Sequence, residues 1–88
     1  MKIMTTVVVK RADLVEKRIR SIDPFIFANI NKAIEEAFIK QENSVVFKQK
    51  EFPVIFEFWT TFFNQHFQEQ GYKVQANVSY NTITIYLD

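Results

Sequence analysis

The stretch GYKVQANVSYNTITIYLD, Gly71–Asp88, decides the fold. Tyr72, Val74, Ala76, Val78 and Tyr80 alternate with Lys73, Gln75, Asn77 and Ser79; past a turn at Tyr80-Asn81, Ile83, Ile85 and Leu87 alternate with Thr82, Thr84 and Tyr86. Side chains on a strand point to opposite faces in turn, so this pattern predicts an antiparallel hairpin with one apolar face and one polar face. Such a hairpin cannot bury its apolar face alone, and the preceding residues must cover it.

Working back from Gly71, residues 53–70 read as a helix: Pro53 suits a first helical position, and Gly71 suits the left-handed residue that closes a helix. Val45-Val46-Phe47-Lys48 reads as a short strand after a Glu42-Asn43-Ser44 turn. A second helix runs from Pro24 to about Gln41, with Ile26, Ile30, Ala33, Ile34, Ala37 and Phe38 as its apolar stripe. A first helix covers 10–22, its stripe formed by Val8, Ala12, Val15, Ile19 and Ile22. The Val7-Val8-Val9 run either opens this first helix behind Thr5 or Thr6 or closes a strand from Ile3; we take the helix. Asp23-Pro24 divides the two helices or kinks one bent rod. If the first two strands pair in parallel, the third helix is their right-handed crossover. The expected architecture is a single α+β domain, a two-layer sandwich with helices on one face of a three-stranded sheet.

Composition narrows the function. The 88 residues contain no cysteine, one glycine and one histidine. That removes thiolate metal sites, a Gly-rich phosphate loop and a multi-histidine centre, so no cofactor is expected. No apolar run exceeds four residues and the leading residues lack a signal-peptide pattern, which predicts a soluble, intracellular domain with no membrane partner. No serine stands in a nucleophile motif, and Glu35 and Glu36 diverge on a helix, so no enzymatic activity is expected. His66 falls among aromatic positions of the third helix and reads as a packing residue beside Phe63, Trp59 and Ile55.

Two distributions point to binding surfaces. Ten phenylalanines are present, seven of them between positions 47 and 67. On an ideal wheel Val54 and Phe58 fall at about 160° and 200°, opposite the aromatic arc of the third helix, with Phe62 bridging the two sides. Val54, Phe58 and Phe62 are therefore the expected protein-binding face, for a second copy or another chain. Separately, residues 1–20 carry six bases against two acids. Lys10, Lys17, Arg18 and Arg20 on the first helix are the alternative, a weak nucleic-acid contact to phosphates without sequence preference.

The Gly71-Tyr72-Lys73-Val74 start of the hairpin and its Asn81-Thr82-Ile83-Thr84-Ile85 end, behind a helix, strand and helix, resemble a recurrent type of small bacteriophage open reading frame. The likeness spans roughly the last two-thirds of the chain, which departs from it in its phenylalanine content and its Tyr86-Leu87-Asp88 ending. It implies a phage accessory or virion protein, placed in the host cytoplasm or the particle. No site residue follows from it.

Overall fold

The computed structural model describes residues 8–88. Its order is α1 (Arg11–Ile22), α2 (Ile26–Ile39), β1 (Ser44–Lys48), α3 (Pro53–Glu57), a π-helical turn (Trp59–Phe63), α4 (Asn64–Glu69), β2 (Lys73–Asn77) and β3 (Thr82–Tyr86). Val8 and Val9 precede α1 and are exposed, so α1 does not begin at the valine run; Val7 and the alternative strand from Ile3 lie outside the described residues. Asp23 breaks the helical path with an extended backbone, and its Oδ1 accepts a 3.1 Å hydrogen bond from the Phe25 N–H. The two helices are therefore separate elements, joined by a tight Asx turn.

The sheet has the order β1-β3-β2, and both pairings are antiparallel. β1 and β2 do run in the same direction, but β3 lies between them, so the expected direct parallel pairing does not form. The third strand gains a partner on each side, and antiparallel ladders replace the slightly weaker parallel one. The hairpin turn is longer than expected: Val78–Asn81 form it, with Asn81 at φ 52°. Ala76 consequently faces Ile83, and Val74 faces Ile85. A two-residue turn at Tyr80-Asn81 would have placed Ala76 opposite Ile85 instead. The difference is two residues, so each side chain keeps its face.

The inward row carries Val45, Phe47, Val74, Ile83 and Ile85, of which Phe47, Ile83 and Ile85 are buried. On the other face the Tyr86 hydroxyl donates to Gln75 Oε1 across the hairpin at 2.7 Å. The helices cover the inward row. Ile19 of α1, Ile26 and Ile30 of α2, and Val54, Ile55, Phe62, Phe63 and Phe67 of the third helical stretch complete one core. Both helix ends that lead into strands close with a left-handed residue. At Gly71 (φ 96°) the Tyr72 N–H reaches the Phe67 carbonyl at 3.1 Å and the Gly71 N–H reaches that of Gln68 at 3.0 Å. At Gln41 (φ 62°) the Glu42 and Gln41 N–H groups bond the Ala37 and Phe38 carbonyls in the same pattern. Each end thus satisfies carbonyls that helix termination would strand.

Candidate functional site

The third helical stretch is where an ideal wheel fails. The Phe63 N–H bonds the Phe58 carbonyl at 3.0 Å, and the Asn64 N–H bonds that of Trp59. These bonds reach back five residues rather than four, so side chains beyond them lag the α-helical phase by roughly one residue, or ~100°. With that lag Val54, Ile55, Phe58, Phe62, Phe63 and Phe67 come to one side. Val54 and Phe62 are each only 7% exposed, and Phe58 is half-buried against the core. The Phe62 ring meets Phe63 edge-on at 5.1 Å and Phe27 at 6.0 Å. α1 packs over the π-turn, and its Leu14 and Val15 share a cleft with Phe58. The expected Val54–Phe58–Phe62 binding face is thus corrected: Val54 and Phe62 are buried in the core, and Phe58 and Phe62 stand beside α1.

His66 packs, although beside other rings than expected. It stacks on Phe62 at 4.9 Å and stands near Phe27 and Phe67, at 5.8 and 6.0 Å. Among the described residues no group of three or more His, Cys, Asp or Glu could hold a metal ion. His66→Gln should lower the melting temperature by removing this stack, which is worth about 0.5–1.5 kcal/mol for an aromatic pair. A calorimetric scan matching the parent protein would contradict the packing role.

The basic residues of α1 divide by position. Lys10 is the extended residue before the helix, and Lys17 and Arg18 are exposed. Arg20 is engaged within the chain: its Nε donates to Glu16 Oε2 at 3.0 Å, and its guanidinium carbon stands 4.3 Å from the centre of the Phe27 ring. Of the expected phosphate-contacting set, Arg20 is the one residue with a carboxylate partner among the described residues. Arg11, which was not singled out, joins Arg18 on the rim of the cleft formed with Leu14, Val15, Phe58 and Thr61. Asp13 and Glu16 lie on the opposite flank, beside Gln65, His66 and Glu69.

One exposed apolar patch lies at the C-terminal end of α2. Phe38 and Ile39 are 67% and 78% exposed, although the stripe of the helix predicts burial for Phe38. The helical phase is the reason: Ile26, Ile30 and Ala37 are the buried residues, and Phe38 and Ile39 fall about 100° and 200° around the helix from Ala37, so both side chains turn away from the core. There, Ile34, Phe38, Ile39, Tyr72 and Leu87 line an open apolar groove of about 390 Å³ with Glu35 at its edge. Tyr72 and Leu87 flank the ends of β2 and β3, so the groove combines distant parts of the chain. No helix among the described residues is long and apolar enough to cross a membrane. No family model, curated protein or solved structure matches the chain.

Proposed function

We propose that this domain is a non-enzymatic protein-binding module acting through the C-terminal end of α2, and that the groove there receives a second copy of the chain. One observation carries the reading: Phe38 and Ile39 stand in solvent beside an apolar groove they help to line. Full burial of side chains of this size is worth about 1.5–3 kcal/mol each. A projecting ring and an apolar groove on the same face are self-complementary, as a two-fold dimer requires, because each copy offers the knob that the other receives. A formal net charge of +1 opposes such pairing little. The phage origin suggested by the hairpin layout belongs to this proposal, and detection in purified particles would separate a virion component from a host-directed inhibitor.

Sedimentation equilibrium from about 1 µM to about 1 mM protein tests the pairing, a range matching free energies of association of about 4–8 kcal/mol. The expected result is a dimer that persists at high salt, since burial of apolar surface is not screened. Phe38→Ser combined with Ile39→Ser should give a monomer with an unchanged melting temperature, because neither side chain is in the core. A parent protein that stays monomeric throughout this range would overturn the reading.

A further inference from the structure

We propose that the cleft between α1 and Phe58 is a nucleotide site, in which Arg11 and Arg18 hold the phosphate and Phe58 with Leu14 and Val15 receives the base. This goes beyond the dimer and uses a different surface. Arg11 and Arg18 are seven residues apart, two helical turns, so they project from the same flank about 10 Å apart along the axis. Both border one cleft of about 240 Å³, which Thr61 of the π-turn also lines. Neither guanidinium has a carboxylate partner among the described residues, where the one ion pair joins Arg20 to Glu16. On the wheel Lys10 and Lys17 fall on the adjoining outer ridge, while Asp13 and Glu16 fall on the far flank. The basic side of α1 therefore meets solvent with its charge unbalanced, a standing attraction for an anion.

The kind of anion follows from the two halves of the cleft. Two guanidiniums exceed what one carboxylate needs and match the charge and forked acceptors of a phosphate. A bare phosphate would leave the apolar wall of Leu14, Val15 and Phe58 in water. A ligand that fills both halves carries a flat ring beside its phosphate, which is the make-up of a nucleotide, free or as one unit of a single strand.

The test is titration of the isotope-labelled full chain, followed by backbone amide signals, with three probes: inorganic phosphate, a nucleoside 5′-monophosphate and a short single-stranded oligonucleotide. The expected result is saturable movement of the Leu14, Arg18, Phe58 and Thr61 signals, with the nucleotide binding at least about tenfold tighter than phosphate. Arg11→Gln with Arg18→Gln should remove the response while the spectrum stays that of the folded domain, since both side chains are exposed. Phe58→Leu should reduce nucleotide affinity and leave that for phosphate unchanged. An oligonucleotide that binds far tighter than the mononucleotide, with a log–log salt slope of about −0.7 per phosphate, identifies a strand; equal affinities identify a free nucleotide. No saturable movement with any probe, nucleotide binding no tighter than phosphate, or undiminished binding by the arginine double variant would each overturn the proposal. The Phe38→Ser, Ile39→Ser protein should bind as the parent does, which keeps this result independent of dimerisation.

Discussion

Phe63→Ala should leave the domain mostly unfolded at 37 °C. Phe63 is 0% exposed and sits at the end of the π-turn, where its ring meets Phe62 at 5.1 Å and Phe27 and Phe67 at 5.8 Å. Truncating a buried phenylalanine to alanine costs about 3–5 kcal/mol, the transfer term plus the cavity left behind. Domains are stable by about 0.05–0.15 kcal/mol per residue, about 4–13 kcal/mol for a chain of this length, so that loss removes about a quarter or more of the total and all of it at the lower end. Thermal unfolding followed by circular dichroism should show the midpoint falling by well over about 12 °C, since each kcal/mol moves it about 4–8 °C at this size. Phe63→Leu keeps most of the volume and should cost far less. A midpoint within a few degrees of the parent for Phe63→Ala would mean that the aromatic cluster is not the centre of the core.

Ile85→Ala should be nearly as damaging, for a reason that lies in the sheet. Ile85 is 0% exposed on β3, the central strand, between Val45 on one neighbour and Val74 on the other. Its loss opens a cavity under both ladders, at a cost of about 2–5 kcal/mol. Thr84 points to the opposite face, and Thr84→Ala should fall within about ±0.5 kcal/mol, as surface substitutions usually do. Urea titrations of the two variants would read the difference directly as displaced midpoints. Equal midpoints would show that the strand faces are assigned the wrong way round.

The readable parts of the fold share one property: their physics is local. Period-two alternation over Lys73–Tyr86 requires two faces wherever the hairpin lies, so Ile83 and Ile85 were identifiable as core. Pro53 opens α3 because its ring fixes φ and it lacks an N–H the helix could not have used. Gly71 closes α4 because φ 96° costs a residue without Cβ little. The π-turn had one local signal: Thr60 and Thr61 lie adjacent in mid-helix, and β-branched residues are poor helix formers. That signal marks a weak place in the helix but carries no phase, and phase decided whether Val54, Phe58 and Phe62 faced water or the core and α1.

The sequence by itself determined the α+β class, the inward set of the hairpin and the closure of the third helical stretch, because each follows from side-chain periodicity or from the φ preference of one residue. Only the tertiary structure decided that β3 lies between β1 and β2, that α1 covers Phe58 and Phe62, and that Arg11 and Arg18 border one cleft. It also decided that Phe38 and Ile39 share a groove with Tyr72 and Leu87. These outcomes depend on strand order, on the meeting of α1 with a π-turn some forty residues later, and on the approach of Tyr72 and Leu87 to the end of α2. No window of neighbouring residues contains those relations, because they arise only when separate elements compete to cover the same apolar surface.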